Sequence, residues 1–276
     1  MSKDRFILLN PGESRLPMPP PTTLKAGAAD TEGRFSLIEN QGHHDLPSHV
    51  HDAFDELVFV LEGELGVDFD GRRHHLTAGM CALLPRGVTH AMRVLSEAPV
   101  HALHLFSPGG WEAHPEAGRA AEGGDKGRFY VLQRGEVRPG RIKVPPAFAA
   151  KARGADTDGR LSLLEMVVAQ DIPRHIHHAA DEGIYVLDGE LVVEFDDRTD
   201  KVGKGQFVLL PHGVPHALRC GSAPPPRVIQ ISSPGGWECF VEDLIEARPH
   251  ITTGGRLDPV KLNPIAAKYD ITYGVP

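Results

Sequence analysis

A chain of 276 residues is long enough for two domains, and an apolar content of 41% is ordinary for packed cores. A formal net charge of -8 with no Lys/Arg stripe argues against a nucleic-acid partner, and no apolar run approaches the ~18 residues of a membrane span. Residues 1–11 lack a secretory apolar core, and Cys81, Cys220 and Cys239 show no paired spacing, so the expected setting is the reducing cytoplasm with buried, inert thiols.

Along the chain, short stretches rich in β-branched and aromatic residues alternate with Gly/Pro turn signals, the pattern of a β-sandwich or barrel. His49-Val50-His51 reads as a strand that projects both imidazoles to one side. Glu56 follows His51 at an odd step, so Asp52 to Asp55 must bend the chain and return Glu56 on a neighbouring strand. Leu57 to Leu61 is a strand, Leu61 to Glu64 a hairpin tip, and Gly79 to Leu84 another strand. Pro85-Arg86-Gly87 is a tight corner delivering His90 to the start of the next strand. Residues 113–127, small, charged and Gly-rich, read as a linker. Phe207 to Leu210 is a strand of the second half. Phe240, Val241, Leu244 and Ile245 lie at helical spacing, and Asp258 with Pro259 reads as the start of a second helix. Both helices are expected to cover a barrel end or an interface.

The chain repeats itself. Adding 126 carries His49, His51, Glu56 and His90 onto His175, His177, Glu182 and His216, and Gly79, Pro85 and Gly87 onto Gly205, Pro211 and Gly213. Ser-Pro-Gly-Gly-Trp-Glu occurs at 107–112 and 233–238. Arg5-Phe6 and Gly12-Glu13 echo Arg128-Phe129 and Gly135-Glu136 at a slightly different offset. This is a duplicated domain, divided into 1–125 and 126–276.

A lone strand histidine is ordinarily a surface or core residue, but three imidazoles and a carboxylate in the same pattern twice point to a metal. His49, His51, Glu56 and His90 form one set, and His175, His177, Glu182 and His216 the other. The donors suit one divalent transition metal per domain, iron first, with Mn, Ni, Cu, Co and Zn open. They are too nitrogen-rich for Ca²⁺ or Mg²⁺.

At these residues the sequence resembles the cupin superfamily, whose motifs are G-x5-H-x-H-x3–4-E-x6-G and G-x5-P-x-G-x2-H-x3-N. The first runs from His49 to Gly63 and from His175 to Gly189, without its leading glycine, where His43 and Ala169 stand. The second runs from Gly79 to His90 and from Gly205 to His216, with Val94 and Cys220 in place of the final Asn. The resemblance implies an all-β chain of two tandem cupin (double-stranded β-helix, or jelly-roll) barrels with short C-terminal helices. It also implies the two metal sets just named, and a homodimer is compatible with it. The four-residue gap before each glutamate, the repeated Ser-Pro-Gly-Gly-Trp-Glu string and a Pro-containing helical tail with Tyr269 resemble the quercetin 2,3-dioxygenase-like group. That implies a mononuclear dioxygenase acting with dioxygen on a small aromatic or enolisable hydroxy-carbonyl compound. Glu56 and Glu182 would serve as general bases or as permanent fourth ligands. A non-oxidative metal lyase, isomerase or decarboxylase, and a non-catalytic ligand-binding bicupin, are the alternatives.

The halves differ around the ligands: Phe54, Phe59, Ser48, Arg86 and His104 correspond to Ala180, Tyr185, Arg174, His212 and Gln230. Arg86 and Arg174 are expected at the surface, with capture of an anionic substrate as the alternative. His104 and Gln230 are expected to face solvent, with an inward, ligand-orienting role as the alternative. His43-His44 and His74-His75 read as loop residues, and Trp111 and Trp237 as packing for the barrel ends.

Overall fold

Alternation drives the architecture. In the strand Glu64–Phe69, Leu65, Val67 and Phe69 point inward and are buried. The computed structural model describes residues 2–113 and 123–275, so 114–122 of the expected linker lie outside the described residues.

One unit spans Gly12–Glu136. Its six-stranded antiparallel sheet runs Tyr130–Leu132, Cys81–Leu84, Asp55–Glu62, Val100–Ser107, Ser36–Gly42, Thr22–Ala26. The four-stranded sheet runs Leu46–His49, His90–Val94, Glu64–Phe69, Arg72–Thr77. Val58, Val60, Leu65, Val67, Leu76 and Met92 share one apolar cluster. The other unit joins Met1–Pro11 to Val137–Pro276. Its six-stranded sheet runs Ile7–Leu9, Phe207–Leu210, Asp181–Asp188, Arg227–Ser233, Ser162–Val167, Phe148–Ala152. A five-stranded sheet runs Arg198–Gly203, Glu190–Phe195, His216–Cys220, Ile172–His177, Ile271–Tyr273. Two helices, α1 (Trp237–Ala247) and α2 (Pro259–Ala266), bury Phe240, Val241 and Leu262 in this unit's core. The Asp258 side chain caps α2 by accepting from the Val260 and Lys261 amides. The all-β double jelly-roll with short C-terminal helices is therefore borne out.

The units are cut differently from the expected 1–125 and 126–276. Ile7–Leu9 pairs with Phe207–Leu210, and Tyr130–Leu132 pairs with Cys81–Leu84. Arg5 grips the buried Asp181 carboxylate with two bonds of 2.9 and 3.1 Å, and Arg128 grips buried Asp55 at 3.1 and 2.8 Å. A buried carboxylate demands such a partner, which gives the echo of Arg5-Phe6 in Arg128-Phe129 a physical reason.

Several local expectations change. Leu61 to Glu64 is a corner between sheets, since Asp55–Glu62 and Glu64–Phe69 belong to different sheets. Gly63 turns it at φ 82°, where a Cβ would stand 3.0 Å from the Pro99 carbonyl. His74 and His75 lie in the strand Arg72–Thr77. Of the thiols only Cys81 is buried, and Cys220 and Cys239 are half-buried. The repeated Ser-Pro-Gly-Gly-Trp-Glu string ends in a glutamate that ties a loop: Glu112 accepts from the Ala28 amide at 2.6 Å and Glu238 from Gly154 at 2.8 Å. No helix among the described residues is long and apolar enough to cross a membrane.

Candidate metal centres

Each centre draws on both sheets of its unit. In the first, His49 ends the strand Leu46–His49 and sits in register with His90, the first residue of His90–Val94. His51 lies just past the strand, and after the expected bend Glu56 comes from the next strand, Asp55–Glu62, which belongs to the other sheet. The second repeats the plan: His175 is in register with His216, and Glu182 lies on Asp181–Asp188. In each quartet the ligand atoms all lie within 4.8 Å of one another.

Backbone carbonyls set the imidazoles. The Nδ1 atoms of His49, His90, His175 and His216 donate to the carbonyls of Pro47, Val88, Pro173 and Val214 at 2.7, 3.0, 2.8 and 3.0 Å. That fixes the tautomer and turns the Nε2 lone pairs toward the centre. His51 Nε2 and His90 Nε2 each stand 3.3 Å from Glu56 Oε2, and His216 Nε2 stands 3.3 Å from Glu182 Oε2. Glu56 Oε2, His90 Nε2, Glu182 Oε2 and His216 Nε2 are buried without hydrogen-bond partners among the described residues. Buried lone pairs are normally satisfied, so a cation inside each quartet fits these donors.

Protonation states agree at three of the imidazoles, while His90 is raised, because Glu56 and the Val88 carbonyl outweigh its burial. Burial pushes the His175 imidazole well below its usual range and His177 down to about 4, and burial with the neighbouring His90 lowers His49. Neutral imidazoles are what a metal requires. Burial raises the Glu56 carboxyl, but His104, His51 and His90 closing around it outweigh that and hold it well below the usual range. Glu182 is lowered too, by His216 against its burial.

His104 and Gln230 correct the expectation of solvent-facing positions. They are 7% and 2% exposed; His104 Nδ1 donates to Glu56 Oε1 at 2.7 Å and Gln230 Nε2 to Glu182 Oε1 at 3.3 Å. Each holds one carboxylate oxygen so that the other faces the quartet. Arg86 instead braces Asp55 through its backbone N–H and its guanidinium, and Arg174 donates to the Asp196 carbonyl, as structural positions would. His212 joins Arg5 at Asp181, Phe54 packs beside Leu24, Ile38 and Phe106, and Phe59 and Tyr185 are core residues.

The two centres differ in access. The first opens into a cavity of about 300 Å³ whose lining includes His49, His51, Glu56, His104, Ile38, Asn40, Phe106 and Trp111. Trp111 stacks on Phe106 at 5.0 Å, and Phe106 meets His51 edge-on at 5.3 Å, so this tryptophan walls the site. Asn40, Ile38 and Phe106 belong to no motif, and only the half-to-half differences at 40 and 106 could have flagged two of them. At the second centre the C-terminal strand Ile271–Tyr273 pairs with Ile172–His177, setting Tyr273 beside His175. The Tyr273 ring lies on His175 at 4.8 Å and Trp237 stands 5.1 Å from His177. Asn263 clamps the Tyr273 backbone with bonds of 3.1 and 2.7 Å. All four ligands are buried, and the neighbouring cavity of about 230 Å³ is lined by Trp237 and Tyr273 but by none of them.

The Cupin domain family matches residues 37–106 and again 162–231. The chain is 24% identical to quercetin 2,3-dioxygenase of Bacillus subtilis (strain 168) over 277 residues, covering 80% of each chain. Its fold is similar to that of oxalate decarboxylase from Lactobacillus farciminis, at TM-score 0.57 and 13% identity over 83% of this chain and 86% of that one. It is also similar to salicylate 1,2-dioxygenase from Pseudaminobacter salicylatoxidans, at TM-score 0.54 and 15% identity over 78% and 74%.

Proposed function

The chain belongs to the Cupin domain family, and from that membership we propose that it is a metal-dependent dioxygenase whose reaction takes place at His49, His51, Glu56 and His90. One observation carries the choice of site. Three members of the first quartet, His49, His51 and Glu56, line a largely apolar cavity, whereas the second quartet lies behind the strand Ile271–Tyr273. The likeness to a quercetin 2,3-dioxygenase supports the reaction class.

A bound redox-active divalent ion, iron first and Mn, Ni, Cu or Co next, would supply Lewis acidity and electron exchange with dioxygen. His49, His51 and His90 would hold it through Nε2. Glu56 Oε2 would take the proton of an enolisable hydroxyl, and the hydrogen bond from His104 to Oε1 supports this role by holding the other oxygen. Phe106, Trp111 and Ile38 exclude water and accept a planar small-molecule substrate. Glu182 is a permanent fourth ligand in this reading, and the second centre is structural. The setting is the cytoplasm, where three free cysteines stay reduced.

The test is oxygen uptake by metal-reconstituted protein with small hydroxy-carbonyl compounds. Uptake abolished by His49→Ala or His90→Ala, and retained by folded His175→Ala, is the expected result. Conversion of substrate without oxygen uptake, or with zinc as well as with iron, would favour a lyase, isomerase or decarboxylase.

A further inference from the structure

We propose that Asn40 reads the substrate at the side of the ring remote from the metal, selecting an uncharged single-ring hydroxy-carbonyl compound that carries a second hydroxyl there. This rests on the first centre being the substrate site. The Asn40 Oδ1 atom is buried and has no hydrogen-bond partner among the described residues, and Asn40 lines the same cavity as His49, His51 and Glu56. It stands opposite Ala102 in the ladder, one inward-facing step beyond Ile38, which stands opposite His104. Two residues of strand are about 7 Å, roughly the span of one six-membered ring with its substituent. A ligand held at the quartet by its hydroxy-carbonyl edge therefore presents its far edge to Asn40.

The duplication supplies an internal control. Thr22 and Asn40 face each other in the first unit, and their counterparts Phe148 and Met166 face each other in the second. Met166 is buried in an apolar cluster, so the fold does not need an amide at this place. An unsatisfied carbonyl oxygen in an apolar wall is unfavourable to the free protein and is relieved by a donor on a ligand. Among the described residues none that lines the cavity is Lys or Arg, which leaves a further carboxylate uncompensated and selects an uncharged ring.

The experiment compares kojic acid with allomaltol, uncharged hydroxypyranone chelators that differ in one hydroxyl remote from the chelating edge. Binding to zinc-loaded full-length protein is measured by calorimetry. The expected result is one ligand per chain and a preference of about tenfold for kojic acid. In Asn40→Met, which copies the second unit, the preference disappears while allomaltol binds within about twofold of wild type and the melting temperature does not fall; Asn40→Ala serves as a second variant. Equal affinities in the wild type, a preference that survives in both variants, or failure of both pyranones to bind would overturn the assignment. Zinc keeps oxygen chemistry out of the assay. Absence of oxygen uptake with every redox metal would sink the dioxygenase reading and leave this preference standing.

Discussion

Replacing Tyr273 by alanine tests the difference in access between the two centres. The ring is 3% exposed, lies on His175 at 4.8 Å and 19°, and belongs to a strand pinned through Asn263. Truncating a buried aromatic to alanine costs about 3–5 kcal/mol, through lost burial and the cavity left behind. At about 2–4 °C per kcal/mol for a unit of this size, the second unit should melt roughly 10 °C lower. If metal leaves the second centre only when the C-terminal strand lifts, a loss of about 3 kcal/mol raises the open population about 100-fold. The assay is transfer of metal from fully loaded protein to a chromogenic chelator. Wild type should release it in a fast phase from the first centre and a slow phase from the second. Tyr273→Ala should accelerate the slow phase about 100-fold and leave the fast phase alone. A single phase in the wild type, or an unchanged slow phase in a variant that melts lower, would refute the reasoning.

Three further outcomes follow. His104→Gln, which installs the second unit's residue, should keep metal at the first centre but lower kcat about 10- to 100-fold with little change in KM; unchanged kcat would remove His104 from the positioning of Glu56. Metal-free protein should lose stability as pH falls from 6.5 to about 4. His177 titrates at about 4 when folded and near 6.5 when unfolded, so the unfolded chain takes protons first; the loss is about 3 kcal/mol, with a further contribution from His175. Denaturant midpoints that stay flat across that window would contradict the burial of these imidazoles. Arg5→Ala strips the fully buried Asp181 of its guanidinium and should destabilise the unit containing residues 137–276 by about 3 kcal/mol, read as a lower calorimetric transition for that unit with the other unmoved.

The quartets were legible because strand alternation puts His175 and His177 on one side of Ile172–His177 and because the pattern returns after 126 residues. The role of His104 was not. Its strand, Val100–Ser107, is buried along nearly its whole length, so polarity could not show which way a histidine in it points. The strand that covers the second centre was hidden for another reason. Ile271–Tyr273 is three residues long, too short for any periodicity, and its place is decided by Asn263 and by the free edge of Ile172–His177. The pairing of Ile7–Leu9 with Phe207–Leu210 did leave a trace, in the offset of Arg5-Phe6 from Arg128-Phe129, but a shift of register does not say which sheet a strand will join.

That pairing also governs how the protein can be dissected. A fragment beginning at Val137 holds the whole second quartet, yet it leaves Val208 and Leu209 with bare main-chain groups along an apolar edge, the kind of template on which chains aggregate. It also loses the cation at Asp181, the residue next to the candidate ligand Glu182. Residues 5–9 thus act as a splint for a candidate metal centre encoded in the other half of the chain. A short peptide of that sequence, added back to the fragment, is the natural agent for complementing it.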